Sequence, residues 1–166
     1  QILYSKNPDS RMYPASLTKI MTVLLAVEAV ESGQVSLYDE VTASENIGYN
    51  LSEDGSTAGI APGETMTLEN LMYCAMVASA NEACNVIAEY IGGTIPNFID
   101  MMNGRAEELG CKNTHFANAH GLHDEDHYTT ARDLATLSRY AMTNNAVVRI
   151  AAATQYTLPA TSKRPE

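Results

Sequence analysis

The sequence predicts an α+β protein, mostly helical, with its strand material near the two ends of the chain. Three observations carry that expectation. Helical patterns follow one another through the middle of the chain, opened by Pro14, Thr67, Thr94 and Thr130 and closed by Gly33, Gly92-Gly93 and Gly110. Strand-like runs are short and lie around residues 2–5, 40–43 and 154–158. The 166 residues are 45% hydrophobic and 18% charged, a globular balance in a chain long enough to bury a core.

Taken in order, residues 2–5 form a short strand and Lys6-Asn7-Pro8-Asp9-Ser10 a turn. Pro14 then precedes a helix over residues 15–32, stopped by Gly33. Residues 34–66 are mixed, with a strand-like piece at 40–43 and the turn Ala61-Pro62-Gly63-Glu64. Thr67 caps a helix over 68–77, and another runs over 81–90 to the Gly92-Gly93 stop. Thr94 opens a helix over 95–109, with Pro96 in its first turn and Gly110 beyond its end. A His-rich loop follows, and Thr130-Ala131-Arg132-Asp133 resembles a capping box starting a helix that ends near Met142. Residues 154–158 are a strand, and residues 160–166 read as a loop leading onward. Two short terminal strands do not make a stable sheet, so further sheet strands are expected beyond residue 166.

Composition removes several function classes. The net charge is -10 with no offsetting Lys/Arg run, a surface that repels phosphate backbones, so no nucleic-acid partner is expected. The longest apolar run, residues 20–30, is interrupted by Thr22 and Glu28 and is too short to cross a bilayer. Cys74, Cys84 and Cys111 fit neither a disulfide framework nor a zinc-finger spacing. The opening Gln1-Ile2-Leu3-Tyr4 reads as the start of a mature or trimmed chain rather than a leader.

The chemistry begins at Ser16 and Lys19. Residues three apart share a helix face, so the hydroxyl and the amine can meet. A serine hydroxyl attacks poorly until a neighbour takes its proton, and a lysine desolvated in an apolar pocket can be the neutral amine that does so. Apolar Leu17, Ile20 and Met21 flank the pair and are expected to desolvate it. At the start of a helix, the Ser16 N–H is also an unpaired donor that can face a developing oxyanion. An exposed lysine beside a capping serine would share this spacing. A second cluster, Ser79-Ala80-Asn81, falls at a break between two helices, where a hydroxyl and an amide can project into a cleft. A simple helix cap would also place Ser or Asn there, and Ser44-Glu45-Asn46 shows how readily such a triplet arises.

Five blocks in order make the pattern specific. Pro14-Ala15-Ser16-Leu17-Thr18-Lys19-Ile20-Met21-Thr22 resembles the nucleophile stretch of the low-molecular-mass penicillin-binding proteins, the serine-type D-Ala-D-Ala carboxypeptidases of peptidase family S11. Leu3-Tyr4-Ser5-Lys6-Asn7 resembles the strand and turn before it. Val77-Ala78-Ser79-Ala80-Asn81-Glu82-Ala83 is similar to the second motif, with Ala80 and Glu82 where Gly and Asp are commoner. Asn113-Thr114-His115-Phe116-Ala117-Asn118-Ala119-His120-Gly121-Leu122 and His127-Tyr128-Thr129-Thr130-Ala131-Arg132-Asp133-Leu134-Ala135 resemble the blocks that follow.

The resemblance implies a β-lactamase/transpeptidase-like fold, with residues 1–166 a single catalytic domain lacking its C-terminal sheet strands. It implies a hydrolase that removes the terminal D-alanine from peptidoglycan stem peptides through an acyl-enzyme and is acylated by β-lactam antibiotics. Ser16 would be the nucleophile, Lys19 its base and Ser79 the proton donor to the leaving D-alanine. Asn81 would bind the acyl part of the substrate. No cofactor or metal is implied, and the setting is extracytoplasmic, at the cell envelope, with any membrane attachment through segments outside this sequence. A D,D-endopeptidase or a β-lactamase shares the first two motifs, although no E-x-x-x-N pattern of class A β-lactamases follows Asn81. A non-catalytic cell-wall-binding module is the alternative from another class. The third family motif, Lys-Thr/Ser-Gly, is absent from the sequence, so the chain is expected to stop short of it and to be weakly active or inactive alone.

His120, His123 and His127 among Asp124, Glu125 and Asp126 have no metal-ligand spacing, and the resemblance accounts for two of them without a metal. Met66, Met72, Met76, Met101 and Met102 are expected to be core filler.

Overall fold

Pro14 bends the chain into a short 3-10 turn, Ala15–Thr18, which runs into α1, Lys19–Glu31. The computed structural model describes residues 2–161, 163 and 164. Nine of the thirteen residues of α1 are buried, including Lys19 and Thr22. A helix apolar on nearly every side must run through the centre, and α1 is enclosed by α2 (Leu68–Val77), α3 (Asn81–Gly92), α5 (Ala131–Ala141) and α6 (Asn145–Ala151). Met21, Leu24, Leu71, Met72, Ile87 and Phe98 are fully buried in the core between them. Of the expected filler methionines, Met66, Met72 and Met102 are buried, and Met76 and Met101 pack on the core edge.

The described sheet has two strands, β1 (Glu40–Thr42) antiparallel to β2 (Thr65–Thr67), with Val41 opposite Met66. Both of these side chains turn inward and their neighbours face outward, the period-two alternation of a one-sided sheet. The sequence predicts a strand at residues 40–43 and at residue 67 only a cap. Thr67 does both, and its hydroxyl accepts the Asn70 N–H at the head of α2.

The helix ends follow the caps. Thr94 accepts the Asn97 N–H at the start of α4 (Ile95–Glu108), and Thr130 accepts the Asp133 N–H at the start of α5. The Asp133 carboxylate does not close a capping box. It accepts instead from the Asn113 N–H and the Thr114 hydroxyl, tying the 113–114 turn to α5. Gly92 stays inside α3, where a Cβ would lie 2.7 Å from the Phe98 backbone nitrogen, and Gly93, at φ +74°, ends the helix.

Three expectations are corrected. Residues 2–5 are not a strand: Ile2, Leu3 and Tyr4 are exposed, and no neighbouring strand among the described residues pairs with them. Residues 154–158 are irregular as well, laid along α2 with Tyr156 stacked on Tyr73 at 3.9 Å between ring centres. The sequence pattern also predicts no helix at α6, which Asn144 caps through the Ala146 and Val147 N–H groups. Gln1, Ser162, Pro165 and Glu166 lie outside the described residues, and with them part of the expected terminal loop.

Candidate active site

Pro14 is buried, and Ala15 beyond it takes φ +49°, an uncommon value for a residue with a Cβ. This kink sends the two halves of the turn to different places. Ser16 is exposed, while Thr18 and Lys19 point into the interior. No backbone acceptor among the described residues meets the Ser16 N–H, so it is available to a ligand as the sequence predicts.

Lys19 is only 2% exposed. Its Nζ donates to Asn81 Oδ1 at 2.8 Å, to the His120 carbonyl at 2.7 Å and toward Ser16 Oγ at 3.2 Å. Desolvation pulls its pKa below the ordinary lysine value, against the opposing influence of Cys84 and Glu82. The geometry also orients the neutral form. Asn81 Oδ1 and the His120 carbonyl can only accept, so they take both hydrogens of an uncharged amine. Its lone pair then faces the remaining partner, the Ser16 hydroxyl.

Ser79 joins α2 to α3 at φ +54°, the second strained non-glycine residue of the site. Its hydroxyl donates to Ser16 Oγ at 2.8 Å. The helix break puts Asn81 at the first position of α3, where its side chain reaches Lys19. Of the four residues singled out in sequence, Lys19 and Ser79 thus meet Ser16 at its Oγ, and Asn81 joins them through Lys19 Nζ. A groove of about 500 Å³ opens over Ser16 Oγ, lined by Leu17, Ile20, Ala75 and Met76 besides Ser16 and Ser79. This arrangement can activate a serine for attack on a carbonyl.

The other wall of the site comes from residues 117–129. The Thr22 hydroxyl donates to the Ala119 carbonyl at 2.6 Å, and Thr18 Oγ1 lies 2.7 Å from His127 Nε2. His127 Nδ1 accepts the Ala117 N–H, so the ring proton sits on Nε2 and is donated to Thr18. Burial pushes the pKa of His127, and of His120, down to about 4. Among the described residues no group of three or more His, Cys, Asp or Glu side chains gathers as a metal site would.

A family model described as D-alanyl-D-alanine carboxypeptidase, peptidase S11, matches residues 1–162. The chain belongs to that family. DacF of Bacillus subtilis (strain 168), a D-alanyl-D-alanine carboxypeptidase, is 42% identical over 139 residues, covering 84% of this chain and 35% of the relative. DacC of Escherichia coli (strain K12) is 34% identical over 142 residues, covering 84% and 36%. Among solved structures, penicillin-binding protein 5 from Haemophilus influenzae superposes with a TM-score of 0.89 at 34% identity, over 95% of this chain and 46% of that one. DacD from Francisella tularensis gives 0.85 at 38% identity, over 91% and 36%. The fold is therefore the penicillin-binding-protein, transpeptidase-like fold. The chain spans about a third of the length of the curated relatives it matches.

Within this S11 chain the expected apolar flank of Lys19 holds in part. The amine is desolvated and Met21 is fully buried, but Leu17 is 50% exposed and Ile20 only half-buried. Lys19 is enclosed instead by α3 and by the backbone of residues 119–121. Sequence reasoning missed that second wall because its acceptors are main-chain carbonyls far along the chain. The available signal was Thr18 and Thr22, two hydroxyls in the first turns of an apolar helix, which needed buried partners.

Proposed function

We propose that this S11 family member acts as a serine D-Ala-D-Ala carboxypeptidase, with Ser16 as the nucleophile. Neutral Lys19 takes the hydroxyl proton as Ser16 Oγ bonds to the carbonyl carbon between the two terminal D-alanines of a peptidoglycan stem peptide. The Ser16 N–H faces the oxyanion that forms. As the carbon–nitrogen bond breaks, Ser79 hands a proton to the departing D-alanine nitrogen, drawing on the proton held by Lys19. Asn81 holds the acyl portion of the peptide while keeping Lys19 in place. Water then hydrolyses the ester. A β-lactam presents a strained amide to the same oxygen and leaves an ester on Ser16. The setting is the cell envelope, where that substrate lies and where the reaction bears on wall structure and cell shape.

The observation that carries this reading is the placement of Ser16 Oγ 3.2 Å from a buried amine and 2.8 Å from a second hydroxyl. Fluorescent penicillin incubated with the full-length protein tests it. Labelling is expected for the wild type and lost in Ser16→Ala; labelling that survives in Ser16→Ala removes the nucleophile from the proposal.

A further inference from the structure

Glu82 follows Asn81 on α3, is 5% exposed and has no part in the steps above. Its Oε1 gathers three donors from one stretch of chain: the Thr57 hydroxyl at 2.7 Å, the Ala58 N–H at 2.6 Å and the Ile60 N–H at 3.4 Å. The same stretch caps its neighbour, for the Asn81 N–H donates to the Ser56 carbonyl at 2.9 Å. Gly55 lies against the Asn81 side chain, where an added Cβ would stand 2.8 Å from Nδ2. The other carboxylate oxygen, Oε2, is buried with no hydrogen-bond partner among the described residues.

We propose that Glu82 is a positioning residue: its carboxylate draws residues 56–60 onto the start of α3, fixes Asn81 against Lys19, and supplies the negative charge that the buried amine feels. The proposal rests on the reading of Lys19 as the base and deepens it.

The charges around the amine support the assignment. Lys19 is faced from α3 by Glu82 and Cys84 and from the 119–121 wall by His120. Burial raises Cys84 to about 12 and lowers His120 to about 4, so near neutral pH both are uncharged. Around Glu82 itself stand Lys19, Cys84 and Cys74 from α2, the last raised to about 11 by burial and so also neutral. Glu64 and Arg164, on the same edge, pair with each other at 3.7 Å. Among the described residues Glu82 is thus the carboxylate that acts on the amine. Desolvation alone would weaken Lys19 as a base, and an adjacent carboxylate restores part of that basicity, which suits a group that must both accept and return a proton near neutral pH.

The test compares full-length wild type, Glu82→Gln and Thr57→Val, following the rate of fluorescent-penicillin acylation from pH 5 to 9. Glu82→Gln keeps the shape but loses the charge. Its rate should fall about tenfold or more. The acid limb of its profile should move down by roughly one pH unit, because the ammonium gives up its proton more easily without the carboxylate. Thr57→Val removes one clamp donor and no charge, so the rate should fall a few-fold with the limb unmoved. A Glu82→Gln profile that drops evenly with its limb in place would reduce Glu82 to a fold-stabilising residue. A Thr57→Val protein acylated at the wild-type rate would show that the clamp does not position Asn81. A lysine-selective NMR titration reads the same downward shift of Lys19 without substrate. It separates failure of this proposal from failure of the acylation reading, which the Ser16→Ala control scores independently.

Discussion

The amine of Lys19 is held from two sides, and the two walls are built differently. On the α3 side the acceptor is a side chain, Asn81 Oδ1, which depends on the 55–60 stretch for its position. On the other side it is a main-chain oxygen, the His120 carbonyl, locked by contacts that belong to the fold. Thr22 ties down Ala119, His127 meets Thr18, and Met12 and Thr129 exchange backbone hydrogen bonds at 2.8 Å. The difference teaches where each wall can be perturbed. A side-chain acceptor can be moved without disturbing the fold, so damage there should appear in rate. A main-chain acceptor moves only when the backbone does, so damage there should appear first in stability.

The largest expected effect comes from pressing on the main-chain wall at Gly121. A Cβ at this position would lie 1.9 Å from the Ala15 carbonyl oxygen, and Gly121 has φ +99°. Backbone meets backbone here, so no flexible side chain can yield, and the glycine-only conformation adds strain. Gly121→Ala should lose about 3 kcal/mol or more of stability or fail to fold, with penicillin labelling lost alongside. Thermal unfolding followed by circular dichroism checks this. A melting temperature within about 2 °C of the wild type would show that this wall gives way easily.

A pH effect from the same wall is of comparable size. His120 and His127 are 1% exposed and hold their neutral forms, with pKa values pushed down to about 4 by burial. An unfolded histidine binds its proton near 6.5, so the unfolded chain takes up protons that the folded chain refuses. The stabilisation is therefore complete above about pH 6.5. It declines by about 1.4 kcal/mol per pH unit for each imidazole as the pH falls toward about 4. Urea unfolding at pH 7 and pH 4.5 measures the difference. Thr18→Val sharpens the comparison by removing the acceptor of the His127 Nε2 proton, at a cost of about 1–3 kcal/mol at pH 7. Equal stability at the two pH values would mean that charging these rings costs the fold nothing.

What was legible in the sequence follows the same division. Ser16 and Lys19 are a local pair, three residues apart on one turn, and Ser79 and Asn81 sit at a helix break that residue types alone announce. The caps at Thr67, Thr94 and Thr130 were legible because each hydroxyl bonds an N–H three residues on. The main-chain wall was not, because Lys19 and His120 are 101 residues apart and a carbonyl has no residue signature. The strands expected at residues 2–5 and 154–158 had the right residue types, yet a strand is defined by its partner, and composition cannot supply one. The seven-residue α6 was passed over because so short a helix owes its stability to packing, here Val147 and Ile150 on the core, more than to its own sequence.

The smallest effect should separate the two walls most cleanly. Gly55→Ala is the same chemical change as Gly121→Ala, made on the α3 side. Here the added Cβ would meet Asn81 Nδ2 at 2.8 Å and the Ser52 carbonyl at 3.1 Å, and Gly55 does not have a positive φ. The closest atom is the tip of a side chain, which can swing away at little cost to the fold. In swinging it carries Oδ1 off Lys19, so the price falls on the base and not on the backbone. The melting temperature should stay within about 3 °C of the wild type. Acylation should slow by about fivefold to tenfold, the scale of one lost hydrogen bond between uncharged groups. If acylation is unchanged, the Asn81 grip is dispensable and the main-chain wall alone positions the amine. If stability falls as far as in Gly121→Ala, the two walls are equally rigid, and the distinction between a wall read in rate and a wall read in stability does not hold.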